Sequence, residues 1–315
     1  MLSIRSSKET SDLDEITNLL KTCEAVDTPD KWPSVSDILM QFDAPSVDKQ
    51  RDICFWQDTD GRLMASAGLM IPSEGEEVLD GFLWFRVHPT ARVDNLYRQI
   101  IAWGEERMRE VNQERGIKVK LLSGAVAEET EQIALLEYCG FRIERYFLTM
   151  VRLLTEPIPE PQIPEGFTLR HLQGEQDTQA WVELFNETFI DHWNYHPETV
   201  EGFKHKLTNP EFRPDLSIIA IAPDGTFAAF GDCYIPSEGC QGWINPLGTR
   251  QGYRKRGLAR GILQAIMQKL KVEGMDTAML YVDAQNPLGA LRLYESVGFY
   301  TTNTQIAYSK DICCH

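Results

Sequence analysis

The stretch Gly248-Thr249-Arg250-Gln251-Gly252-Tyr253-Arg254-Lys255-Arg256-Gly257-Leu258-Ala259-Arg260 decides how the rest of the chain is read. Leu258, Ile262, Leu263, Ile266 and Leu270 recur at helical spacing beyond it, which predicts a helix starting near Gly257. A glycine-rich turn at a helix start aims unpaired backbone N–H groups at one spot, and the helix dipole adds partial positive charge there. Arg254, Lys255, Arg256 and Arg260 add cationic side chains in a chain of formal net charge −16. The pattern fits a pyrophosphate cradle, and it also fits a basic surface loop before a core helix. It matches neither the GxGxxG nor the GxxxxGK[ST] spacing, so the dinucleotide and P-loop readings do not apply.

Downstream, Thr277 to Asp283 has the composition of a strand, and Asn286-Pro287 opens a second helical stretch through Tyr294 to Gly298-Phe299. Arg254-x-x-Gly257-x-Ala259, followed by Asn286, Leu293-Tyr294-Glu295 and Gly298-Phe299, resembles the GNAT superfamily of acetyl-CoA-dependent N-acetyltransferases. The resemblance covers at least Gly166 to the end of the chain.

The 315 residues suffice for two domains, with 43% hydrophobic and 25% charged residues, as in soluble globular proteins. The acidic balance argues against a general nucleic-acid or anionic-membrane binder. The seven cysteines form neither a zinc spacing nor a disulfide framework, which leads us to expect a reducing cytoplasm and no metal. No signal peptide is visible in Met1 to Leu20, and runs such as Leu216 to Ala222 are too short to span a bilayer.

Four prolines between Thr155 and Gly166 suggest a semi-rigid linker between domains 1–154 and 167–315. On both sides helices and strands alternate similarly, with hairpin signals at Asp60-Gly61 and Asp224-Gly225. Gly140-Phe141 answers Gly298-Phe299 at an offset of 158, and Arg92 answers Arg254 at 162. Such offsets, near half the chain, predict two copies of one fold. The resemblance then implies an α/β fold with a mixed sheet in two tandem GNAT-like domains. The N-terminal copy looks degenerate. Asn95 and Tyr97 stand where Gly257 and Ala259 stand in the other half, Asp94 adds a negative charge, and Leu136 replaces Tyr294.

The resemblance implies that acetyl-CoA is the cosubstrate and a primary amine of a small molecule the acceptor. The pyrophosphate would lie on backbone amides from Arg254 through Lys255, Arg256, Gly257, Leu258 and Ala259 to Arg260. Leu247, Gly248 and Thr249 would bond the pantetheine arm through their backbones, and Asn286 would bond the cofactor near its middle. Tyr294 matches the family's general acid and also fits a core position beside Leu291 and Val297. Many relatives carry a glutamate in the Trp243–Leu247 strand where this chain has Asn245. Glu238 is the nearest carboxylate in sequence and Asp232 another; a water-relayed base, or an amine arriving neutral, serves equally. Asp191, His192, Trp193 and Tyr195 are candidates for the acceptor side, by ion pairing and stacking, or form a packed aromatic turn. Two further readings stay open: a non-catalytic acyl-CoA-binding protein and a protein N-acetyltransferase.

Overall fold

The computed structural model describes residues 2–6, 12–26, 35–72, 78–237 and 239–313. In chain order the first elements are β1 (Ser3–Ser6), α1 (Asp12–Glu24), α2 (Val35–Phe42), β2 (Ile53–Gln57), β3 (Leu63–Met70) and β4 (Val78–Val87). Next come α3 (Asp94–Arg115), β5 (Lys118–Val126), α4 (Thr130–Tyr138) and β6 (Arg142–Leu153). The same alternation then repeats as β7 (Thr168–His171), α5 (Thr178–Phe189), α6 (Val200–Lys206), β8 (Ile218–Ile221), β9 (Phe227–Tyr234) and β10 (Gln241–Thr249). It closes with α7 (Leu258–Val272), β11 (Thr277–Asp283), α8 (Ala290–Ser296) and β12 (Tyr300–Ile312).

The chain divides into two compact units, one of Met1–Arg145 with Gln305–His315 and one of Tyr146–Thr304. In the first, the strands run in the order β1-β2-β3-β4-β5-β12; in the second, β7-β8-β9-β10-β11-β6. Each unit has one parallel pair, β4 with β5 and β10 with β11; the neighbouring pairs β1–β2, β2–β3, β3–β4, β5–β12, β6–β11, β7–β8, β8–β9 and β9–β10 are antiparallel. Asp60-Gly61 and Asp224-Gly225 turn the expected hairpins, with both glycines at positive φ (79° and 87°) where a side chain would be strained.

The units do not divide at the proline-rich stretch. β6, which a domain limit at 154 places in the first half, pairs with β11 from Leu153↔Thr277 to Phe147↔Asp283 and so belongs to the second unit from Tyr146 onward. The last strand of the chain in turn pairs with β5 from Gln305↔Val126 to Ile312↔Val119. The two halves have exchanged a strand. Prolines end local structure, but they do not choose a strand's partner, and that partner sets the domain limits here. The proline-rich stretch packs on the second unit: Ile158 joins its core and a Cβ at Gly261 would meet Ile163.

In the second unit α7 buries the residues predicted from its spacing, Leu258, Ile262, Leu263, Ile266 and Leu270, all at most 1% exposed. They pack with Ile244, Ala278, Leu280 and Val282 from one face of the sheet. The opposite face carries α5, whose Phe185 and Phe189 lie 6.3 and 6.2 Å from Phe230 of β9.

Candidate functional site

Parallel strands β10 and β11 are paired only from Gln241↔Thr277 to Trp243↔Met279. β10 then continues beside β9 through Leu247↔Gly231, Gly248↔Phe230 and Thr249↔Ala229, after a register break at Asn245-Pro246. β11 stays paired with β6 to its end. The two strands therefore part beyond Trp243, leaving one edge of β10 without a strand partner. The Arg250 N–H bonds Ala228 O at 3.0 Å on the β9 side. By alternation, the Leu247 and Thr249 backbones face the split and Gly248 faces β9. Asn245 is exposed at the bulge.

At the end of β10 a 3₁₀ turn, Gln251–Tyr253, leads to Arg254 in extended backbone. Lys255 (φ 62°) and Gly257 (φ 90°) are then left-handed, and Gly257 caps α7 without a side-chain bond. This irregular path keeps the chain out of the helix until Leu258. The N–H groups of Lys255 to Arg260 consequently donate to no carbonyl among the described residues. A Cβ at Gly257 would meet nothing within 4 Å, so the space before these amides is open. The geometry suits an anion.

The side chains around it divide into two sets. Lys255 and Arg256 are exposed, and Arg260 Nη2 reaches Ser296 Oγ at 2.9 Å. Arg254 is a brace: its Nε donates to Thr249 O at 3.1 Å and its Nη2 to Thr188 O at 2.9 Å, tying the turn to β10 and to α5. Asp191, expected on the acceptor side, is bonded by Gln251 Nε2 at 2.6 Å and lies 3.8 Å from Arg254 Nη1, so it belongs to this brace.

The first unit repeats the beginning of this turn and then departs from it. His88 and Arg250 have nearly the same backbone (φ −51°, ψ 134° and φ −53°, ψ 140°) before equivalent 3₁₀ turns. Arg92 Nε donates to Val87 O at 3.3 Å just as Arg254 does to Thr249 O. Val93, however, is extended where Lys255 is left-handed, and the helix begins at once with Asp94. The Leu96 and Tyr97 amides, equivalent to Leu258 and Ala259, are consumed by Val93 O at 3.0 and 3.4 Å. Tyr97 packs on Phe85 in place of Ala259.

The α8 segment shows the same correspondence. Phe299 N donates to Tyr294 O at 3.1 Å and Phe141 N to Leu136 O at 3.0 Å, and Gly298 and Gly140 have φ values of 92° and 86°. The Tyr294 ring is buried beside Phe299, burial pushes its phenol up to about 12, and its hydroxyl makes no hydrogen bond among the described residues. Asn286 Oδ1 accepts the Leu288 N–H at 2.8 Å, a local turn bond.

Of the carboxylates weighed as bases, Glu238 lies outside the described residues. Asp232 is 1% exposed and sealed against Lys206 Nζ at 2.6 Å, with Trp181 Nε1 at 3.3 Å. Burial raises its carboxyl, with Lys206 opposing, and the ammonium lies over the Trp181 and Phe212 rings at 4.5 and 5.0 Å. Spacing gives no hint of this pair, because Lys206 and Asp232 come from separate elements. The pair makes Asp232 a structural acid.

After α5, His192 Nδ1 lies 2.9 Å from Trp193 O, and Trp193 packs on Phe147 of β6 at 5.7 Å. Burial raises the Tyr195 phenol. Glu198, which sequence reading missed, has its carboxyl raised by burial while its Oε1 accepts the Thr199 N–H. Among the described residues no His, Cys, Asp and Glu cluster could hold a metal, and no helix is long and apolar enough to cross a membrane.

The model of the acetyltransferase (GNAT) family matches residues 178–299, from α5 to the start of β12. Residues 178–299 form a GNAT domain. The chain is 34% identical over 176 residues to a protein named mycothiol acetyltransferase from Thermobispora bispora, covering 54% of this chain and 59% of the relative. It thus spans little more than half the length of the curated relatives it matches. A GCN5-related N-acetyltransferase from Sphaerobacter thermophilus superposes with a TM-score of 0.73 at 26% identity, over 99% of this chain and 96% of that one. A tandem GNAT protein from the clavulanic acid biosynthesis pathway covers both chains completely with a TM-score of 0.76 at 12% identity. Two tandem GNAT-like folds therefore account for the whole chain, and the open cradle lies inside the GNAT domain.

Proposed function

We propose that this protein is an acetyl-CoA-dependent N-acetyltransferase acting on a primary amine of a small molecule, with its one active site in the GNAT domain. The observation that carries the reading is the contrast between the two cradles. Six consecutive amides are open at Lys255–Arg260, whereas two of the equivalent amides in the first unit are consumed by Val93 O. An acyl-CoA pyrophosphate fits the open set in charge and hydrogen-bonding capacity. The free edge of β10 offers the Leu247 backbone and the Thr249 N–H to a pantetheine arm, Thr249 O being taken by Arg254.

In the transfer the amine nitrogen bonds to the thioester carbon, the carbon–sulfur bond breaks, and the amine proton leaves to water. Tyr294 is assigned to the departing sulfur. A phenol near 12 is a weaker acid than a thiol near 8.5, so it assists by donating a hydrogen bond rather than by giving up its proton outright. With Asn245 at the bulge and Asp232 sealed, the amine is expected to arrive neutral or to lose its proton through water.

Asn245 and the sealed Asp232 also favour a second reading, a non-catalytic acyl-CoA-binding protein. A thiol-release assay of the full chain with acetyl-CoA and a panel of primary amines separates the two. Release above the hydrolysis background with at least one amine supports the enzyme. Acetyl-CoA binding without release across the panel supports the binder.

A further inference from the structure

The point where β10 and β11 part is closed on both faces. On one side, a Cβ at Gly242 would run into the Leu270 side chain of α7, so helix and strand touch without a gap. Leu270 is fully buried there with Ile266 and Leu280. Because Gly242 and Ile244 face α7, Trp243 between them faces the other way; Tyr281, between Leu280 and Val282, does the same. Tyr281 lies two residues past Met279, the partner of Trp243 in the last paired rung, and the Trp243 and Tyr281 rings meet diagonally there, with centroids 4.8 Å apart and planes 31° from parallel. Both are half-buried. A ligand anchored at the cradle and extended along the free edge of β10 runs toward this junction, and its far end meets a wall: Leu270 behind Gly242 on one face and the Trp243–Tyr281 pair on the other.

We infer that Trp243 and Tyr281 set the acyl length, restricting the site to short acyl groups such as acetyl. This inference rests on the acyl-CoA reading of the cradle. It assigns the two aromatic residues to specificity rather than to holding the nucleotide end. Truncating either ring opens space at the junction and admits longer chains.

Calorimetry on the full chain with CoA, acetyl-CoA and hexanoyl-CoA tests it, with free CoA, which has no acyl group, as the internal reference. Wild-type protein is expected to bind hexanoyl-CoA at least about tenfold more weakly than acetyl-CoA, since a single misfitted methylene is worth about that factor. Trp243→Ala should bring the two within about threefold, well inside that single-methylene penalty. Tyr281→Ala is the second variant, and thermal melts of both identify any that fails to fold. Equal affinity of wild type for acetyl- and hexanoyl-CoA overturns the inference alone, as does an unchanged ratio in both folded variants. Loss of binding to all three ligands by wild type instead overturns the acyl-CoA reading beneath it.

Discussion

Replacing Tyr294 with phenylalanine removes one hydroxyl from a ring that is 7% exposed and packed on Phe299 at 6.1 Å. The hydroxyl has no hydrogen-bond partner among the described residues, so its loss leaves no orphaned group, and stability at neutral pH should scarcely change. The effect appears at alkaline pH. An unfolded tyrosine ionises near 10, whereas burial holds the Tyr294 proton to about 12. Between these values the unfolded state has released a proton that the folded state keeps, so stability falls as pH rises. The proton held across that interval corresponds to roughly 2–3 kcal/mol by pH 12. Urea denaturation of wild type and Tyr294→Phe at pH 8, 10 and 12 should show the wild type losing about that much more than the variant, with no difference at pH 8. Parallel curves would refute the reasoning, because they would mean that the phenol titrates at its ordinary value and that burial of the ring does not hold its proton. With an acceptor in hand, the same variant should lose about 10²-fold in turnover, the scale of one lost transition-state hydrogen-bond donor, while its acetyl-CoA affinity stays the same.

Other consequences follow from the same contacts. A fragment of residues 167–315 lacks β6, which pairs along β11 from Thr277 to Asp283, so it should neither melt cooperatively nor bind acetyl-CoA; a wild-type melt from that fragment would contradict the strand exchange. Asp232→Asn leaves the Lys206 ammonium buried without its counter-charge and should cost about 3–5 kcal/mol in urea denaturation. Lys206→Met with Asp232→Leu should cost much less, and equal losses would show that the pair's charge is not what matters. Arg254→Lys cannot reach both Thr188 O and Thr249 O and should lose about 1.5–3 kcal/mol for the charge-assisted bond it forfeits, read as a lower urea midpoint.

Features governed by local chemistry were legible in the sequence. The spacing of Leu258 to Leu270 gave α7 and its buried face, and Asp-Gly pairs gave two hairpins. The substitutions at Asn95, Tyr97 and Leu136 pointed to a degenerate first cradle. Their physical meaning needed coordinates, since no residue type announces that Val93 O takes two amides. What failed was non-local. A strand's composition is the same whichever partner it chooses, so β6 looked like the end of its own half. The prolines after it looked like a boundary while packing on a core. Asp232 looked available because Lys206 is distant in sequence, and Asp191 looked like an acceptor ligand although Gln251 bonds it. The short β1 and α2 were missed altogether.

In the proposed function, one cradle of the two holds the cofactor. Calorimetric titration of acetyl-CoA into wild type, Gly257→Trp and Asn95→Trp tests it most directly, because the two substitutions occupy equivalent positions in the two units. One site per wild-type chain, no binding by Gly257→Trp, and wild-type binding by Asn95→Trp are the expected results. Wild-type affinity in a folded Gly257→Trp, or loss of binding in Asn95→Trp, would contradict it.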